Sequence, residues 1–159
     1  MILSVSYEKG SVMQALRYHF ISRPELRIML IAVNVFAVFS IALYALGKIP
    51  ALPFLISSLL WFVLMISFWF LLPNVIYRQT SMFKHVFEMH FDQQGFTLNH
   101  ANGSKSWQWD QLKNYVESPH FFHLYFDARS FFLIPKNSCN SDTDLLDLRK
   151  LIQSNLSKA

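Results

Sequence analysis

One cysteine, four glycines and ten acidic residues stand in a chain of 159. A lone Cys139 excludes a disulfide scaffold and needs no oxidising compartment. Four glycines leave no phosphate-cradling loop, and G-x-S-x-G, H-E-x-x-H and C-x-x-C are all absent. Charged residues make up 15%, against about 25% in soluble domains. Lys and Arg number 14 and the formal charge is +4. No basic run exceeds two residues, so nucleic acid is not an expected partner. No internal period marks a repeat array. Abundance lies elsewhere: 53% of residues are hydrophobic, with 16 Phe, which excludes a disordered chain.

The apolar residues are concentrated. Ile28 to Gly47 (20 residues) and Ile49 to Tyr77 (29 residues) carry no charge, and Lys48 alone divides them. A membrane span needs about 20 apolar residues to cross roughly 30 Å of hydrocarbon. Spans are therefore expected over 28–46 and 52–72, within a hairpin of 28–77. Asn34 and Ser40 are the polar residues of the first; Ser57, Ser58 and Ser67 those of the second. Pro53 falls in the first turn, where a missing amide costs little. Trp69 and Tyr77 sit near the end, where amphipathic rings favour the interface. A domain of this size cannot wrap two helices apolar all round. Gly47–Ala51 is short enough to force an antiparallel hairpin, with both termini on one side. Lys9, Arg17, Arg23 and Arg27 precede it and Arg78 and Lys84 follow it. Positive residues stay cytoplasmic, so the expected topology is N-in, C-in. Ala45 and Gly47 imitate a cleavage site, but a polar leader of 27 residues argues against a signal peptide.

Residues 1–27 form a separate leading segment. MILSVSY alternates like a short strand, and Glu8 to Ile21 looks helical, with Val12, Met13, Leu16 and Phe20 on one stripe. Two readings are open for this helix: lying on the inner leaflet, or packed on the soluble domain.

From Thr80 the period becomes two, marking a β domain over 80–159. Phe87, Met89 and Phe91 alternate with polar residues, and Asp92–Gly95 is a turn. Asn102-Gly103 is a hairpin signal of type I′. That register sets Leu98 opposite Trp107 and Phe96 opposite Trp109. A strand over Lys113–Ser118 follows, then Phe121–Phe126 and Phe131–Lys136. With Ala128-Arg129 as a two-residue loop, Phe126 faces Phe131 and Leu124 faces Leu133. Phe121, Tyr125, Phe132 and Ile134 then share the opposite face, an apolar surface for self-packing or a partner. Covering by residues 1–20 is expected. A helix over 142–156, capped by Ser141, closes the chain with Leu145, Leu148, Ile152 and Leu156 inward. The fold class is α+β: a transmembrane hairpin plus a strongly bent antiparallel, pleckstrin-homology-like sheet plugged by a C-terminal helix.

The chain resembles the YcxB-like family of bacterial membrane proteins. The likeness rests on Glu8-Lys9-Gly10-Ser11 leading to Arg17-Tyr18-His19-Phe20, on the tight hairpin, and on Ser106-Trp107. Phe121–Tyr125 followed by Phe132-Leu133-Ile134-Pro135-Lys136 completes it. Asn137-Ser138-Cys139-Asn140 departs from the family pattern, where an aromatic residue often follows Pro-Lys. The resemblance implies a bacterial inner-membrane protein with a cytoplasmic pleckstrin-like domain, and no catalytic mechanism.

Candidate chemistry is sparse. On single strands, His85 and His90, like His120 and His123, point opposite ways, so three or four metal ligands do not converge. His90 faces Thr97, away from His100. His90 and Asp92 share a face, but Asp92 is a turn residue. His19 adds no partner. Cys139 has no histidine near it to act as base. Asn34 is read as bonding a neighbouring helix. Trp107 and Trp109 read as core. No catalytic, metal or cofactor residue is expected. The function expected is a non-enzymatic, membrane-anchored binding or scaffold module for a membrane or cytoplasmic protein. Arg17, Arg23, Arg27, Arg78 and Lys84 are its lipid-headgroup candidates. Lys105, Lys113 and Arg129 are too scattered to form a phosphoinositide pocket. The alternatives are a subunit of a membrane enzyme or transporter, built on His85, His90, Asp92 and His123, and a toxin-neutralising immunity-type protein.

Overall fold

A computed structural model describes all of residues 1–159. The chain divides into two units, Leu16–Gln79 and Met1–Ala15 with Thr80–Ala159. Helix α1 (Lys9–Ser22) contains the first boundary.

The helical unit is built from α2 (Pro24–Ala45) and a second rod of α3 (Ala51–Ile66), a π-helical turn (Ser67–Leu71) and α4 (Leu72–Gln79). Pro24 starts α2 because a first-turn residue needs no amide partner. Gly47 ends it: its φ of +68° permits the left-handed turn, Lys48 N–H bonds Leu43 C=O at 2.8 Å and Gly47 N–H bonds Tyr44 C=O at 3.0 Å. That is the paired bonding of a Schellman cap, and it reverses the chain into α3. Tyr44 and Phe54 stack beside the turn at 4.4 Å. Deeper in the hairpin, Ser40 and Ser57 hydroxyls bond at 2.8 Å. Both rods, Pro24–Ala45 and Ala51–Gln79, are long and apolar enough to cross a membrane. Ser40 is the one buried residue of α2, and α3 has none.

The other unit is a β domain of two four-stranded sheets. Strands β1 (Ile2–Val5), β2 (Phe87–Phe91), β3 (Gly95–His100) and β4 (Gly103–Gln108) form the first, in that order. The second runs β7 (Phe131–Pro135), β6 (Phe121–Tyr125), β5 (Asn114–Glu117), β8 (Ser157–Lys158). All pairings are antiparallel except β5 with β8. The leading strand is thus no separate segment: β1 pairs with β2, Leu3 opposite Met89 and Val5 opposite Phe87. Two sheets replace the single bent one expected. Helix α5 (Asp142–Asn155) is capped by Ser141, whose Oγ accepts Asp144 N–H at 3.1 Å. It sends Leu148 and Ile152 into a core shared with Met89, Phe96, Leu124 and Ile134.

Two registers differ from expectation. In β3–β4, Phe96 lies opposite Trp107 and Leu98 opposite Lys105, a shift of two residues. The turn residues are Ala101 and Asn102, and neither has positive φ; Gly103 takes φ +147° as the first residue of β4. A type I′ turn is therefore not formed. Trp109 leaves the sheet in a 3₁₀ turn, where its Nε1 donates to Asp92 C=O at 3.0 Å. In β6–β7 the slip is one residue: Tyr125 faces Phe131 and Leu124 faces Phe132. Asp127 Oδ1 accepts Arg129 N–H at 2.6 Å and Ser130 N–H at 2.8 Å. This Asx arrangement makes the connection Phe126–Ser130 instead of a two-residue loop.

Candidate functional site

The odd slip divides the apolar face expected from Phe121, Tyr125, Phe132 and Ile134. Phe132 and Ile134 join the core with Phe122 and Leu124. Phe121 and Tyr125 face the other way, beside His123, Phe131 and Leu133. A one-residue change turns a whole strand over, and here it leaves all four buried. Tyr7 covers part of the second face, stacking on Phe121 and donating its hydroxyl to Leu133 C=O at 2.7 Å.

Of the five basic headgroup candidates, Arg17 has a structural task. An α-helix pairs the carbonyl of residue 69 with the amide of residue 73, but residue 73 is proline. The ladder switches to a π turn there, Leu72 N–H bonding Ser67 C=O. Arg17 Nε donates to Trp69 C=O at 2.9 Å, supplying the hydrogen bond that Pro73 cannot. Its guanidinium lies 5.5 Å from the Phe70 ring centre and 6.0 Å from that of Trp69. Arg23 is half-buried as the N-cap of α2, and Arg27 is exposed in the turn above it. Arg78 is exposed in the last turn of α4, and Lys84 is exposed in the β domain. His19 adds no cation: burial, then the Arg23 charge, pulls its pKa to about 4.

The histidines do not form a ligand set, and no three His, Cys, Asp or Glu side chains are gathered for a metal. His85 and His100 meet edge to face at 5.6 Å, with His100 Nδ1 accepting Asn102 N–H. His90 faces Thr97 across the ladder and lies 3.7 Å from Glu88. His123 is fully buried, its Nε2 3.0 Å from Ser118 Oγ. That hydroxyl donates to Phe121 C=O at 3.1 Å. Phe121 N–H also donates to that hydroxyl at 3.2 Å, so the Ser118–His123 pair ties the turn between β5 and β6. Burial and the Asp144 charge push the Cys139 thiol up, away from thiolate.

An ionic cluster escaped the sequence reading. Glu117 accepts from Lys136 Nζ at 2.7 Å and from an Arg149 terminal nitrogen at 2.8 Å. Both cations lie over the Phe122 ring, at 5.2 and 5.9 Å. The Phe-x₉-Phe-Leu-Ile-Pro-Lys spacing held no signal for Arg149, which comes from α5.

Several concavities remain, among them one of about 410 Å³ on the first sheet, lined by Asp92, Gln94, Phe96 and Trp107. A recess of about 240 Å³ in the β domain is lined by Glu8, Ser11, His120 and Lys136 among others. A groove of about 280 Å³ runs between α2 and α3, with Asn34, Ala37 and Ser40 on one wall and Ser57, Ser58 and Trp61 on the other. Asn34 Nδ2 donates to Leu30 C=O on its own helix, not to the neighbour as expected.

These features define a class: an α+β chain pairing an apolar helical hairpin with a small β domain. Within it, residues 91–152 match the model of the YcxB-like protein family, so the likeness read from the sequence is borne out there. The match covers β3 to β7 and most of α5, and stops short of the hairpin and the Glu8–Phe20 motif. No curated protein and no solved structure matches the chain.

Proposed function

We propose that this chain is a non-enzymatic, membrane-anchored binding or scaffold module that holds a pleckstrin-like β domain at the inner face of a bacterial plasma membrane. The observation that carries the reading is one of connectivity. Two rods apolar enough to span lie between β1 and β2, and those strands pair directly. Strands that pair must lie on the same side of a bilayer, so an inserted hairpin has both its flanks there. This supports the same-side topology independently of the Lys and Arg distribution, which in turn chooses the cytoplasmic side. Two four-stranded sheets, antiparallel but for the short β5–β8 pair, with one helix after the seventh strand support the pleckstrin-like assignment. Arg23, Arg27, Arg78 and Lys84 contact anionic headgroups, each contributing about 1 kcal/mol. The partner is a membrane or cytoplasmic protein, whose effective concentration rises by confinement to the same surface.

The test is a pair of reporters, one after Ala159 and one in the loop at Lys48, with alkaline washing of membranes. A cytoplasmic signal from the first, an external one from the second and retention in the washed pellet support the reading. An external signal after Ala159, or release of the chain into buffer, overturns it. Crosslinking in native membranes should recover one stoichiometric protein partner; tight binding of a metal or nucleotide with no such partner would contradict the scaffold role.

A further inference from the structure

We propose that the groove between α2 and α3 docks a second copy of this chain, the two copies joined in the bilayer through Asn34. The proposal rests on the membrane reading above. Asn34 lies at the midpoint of the 22-residue helix α2, so in a spanning hairpin its amide sits near the centre of the hydrocarbon. The side chain is exposed, and its hydrogen bond to Leu30 C=O at 2.8 Å uses one N–H. A second N–H and the carbonyl oxygen still require partners, and lipid tails offer none. Trp61, on the facing wall, has an enclosed Nε1–H with no acceptor. Small residues line both walls: Ala37, Ser40, Ser57 and Ser58 let another helix approach closely.

Two arguments select a second copy over a lipid or an unrelated helix. A carboxamide is donor and acceptor at once, so two of them facing across a two-fold axis satisfy each other. All copies also insert with the same topology, which places every Asn34 at the same depth. An acyl chain fills volume but leaves the exposed Asn34 amide unmet.

Full-length protein labelled with donor and acceptor dyes and reconstituted in phosphatidylethanolamine–phosphatidylglycerol vesicles tests this by energy transfer against protein-to-lipid ratio. Wild type should show a saturating dimer curve. Asn34→Leu should weaken dimerisation about tenfold, the worth of an interhelical hydrogen bond of 1–2 kcal/mol. Asn34→Gln, which keeps the amide, and Phe36→Leu, outside the groove, should stay within about twofold. Transfer no greater than random crowding for wild type, or an Asn34→Leu curve that overlays it, overturns the inference and leaves the membrane reading intact. A chain that fails to enter vesicles at all defeats both, and flotation of the vesicles separates the two results. Circular dichroism of Asn34→Leu confirms that its helices persist, so loss of transfer is not loss of fold.

Discussion

Glu117→Gln is the most informative perturbation of the β domain. The carboxylate joins β5 to Lys136, just after β7, and to Arg149 on α5. The three side chains are 18–30% exposed, so water screens the pairs without dissolving them. A charge-assisted hydrogen bond in such a setting is worth roughly 1.5–3 kcal/mol when removed, and two partners are lost together. Discounting for residual solvent gives a cost of about 2–3 kcal/mol, because the variant also leaves two cations side by side over Phe122. Lys136→Met should cost about 1 kcal/mol, since Arg149 still holds the carboxylate. The pH dependence has a fixed sign. Burial alone would raise the Glu117 pKa, but the bonds from Arg149 and Lys136 and their charges hold it below its ordinary 4.5. A depressed folded value means that the stabilisation is complete above pH 4.5 and is lost as pH falls through the folded pKa. Urea-dependent pulse proteolysis of the full chain in mild detergent reads the difference between wild type and variant. It should be constant from pH 8 to 6 and shrink below pH 4.5. A difference under about 0.5 kcal/mol at pH 7, or one that grows on acidification, would refute the assignment of the cluster as a clamp between sheet and helix.

The Arg17 bond predicts a coupling with proline. Arg17→Met should cost about 1–2 kcal/mol in the wild-type chain and about 1 kcal/mol less in a Pro73→Ala background, where the amide returns to serve Trp69; additive costs in a double-mutant cycle would refute the substitution of one donor for the other. Gly95→Ala should destabilise by about 2 kcal/mol or more, because its Cβ would strike the Trp107 carbonyl and the Gln108 backbone. The same urea assay measures it, and a neutral result would contradict the close β3–β4 approach. Ser141→Ala should lose about 1 kcal/mol as the Asp144 amide loses its acceptor, seen as a lower urea midpoint with an unchanged slope.

What the sequence could reveal depended on parity. The two-residue shift in β3–β4 keeps Phe96 and Trp107 on the same face, so hydrophobic alternation cannot distinguish it from the expected register. Only the turn chemistry decides, and Asn102-Gly103 suggested a type I′ geometry that the chain does not adopt. In β6–β7 even parity was illegible. Phe121 to Tyr125 and Phe132 to Pro135 are buried at every position, and a strand apolar on both faces carries no binary pattern to fix its partner. The short Asp127 side chain, bonding two amides, sets the loop length instead. By contrast, the C-terminal helix and its serine cap were readable because an amphipathic stripe and a capping residue agree locally. Proline at 73 was visible; that a residue 56 positions earlier would supply its missing bond was not, since no local pattern links them.

The strand pairing across the hairpin has a consequence for how the chain must fold. Val5 pairs with Phe87, so the first sheet cannot be completed until every residue of both rods has been made. Closing so long a connection at random is entropically slow, because non-local pairs pay their ordering cost before any contact forms. A helical hairpin changes this, since α2 and α3 pack antiparallel through Ser40 and Ser57 and return the chain toward its start. Weakening the reversal should therefore delay the β domain as well as the hairpin. Gly47→Val, which forces a branched side chain into φ +68°, costs about 1 kcal/mol or more at the turn. In coupled synthesis and insertion into vesicles, protease protection of residues 87–91 should appear later in this variant than in wild type. Gly10→Ala, in open space within α1, should leave that timing unchanged. Simultaneous protection in both variants would mean that β1 finds β2 without help from the hairpin, and the turn would then matter for membrane packing alone.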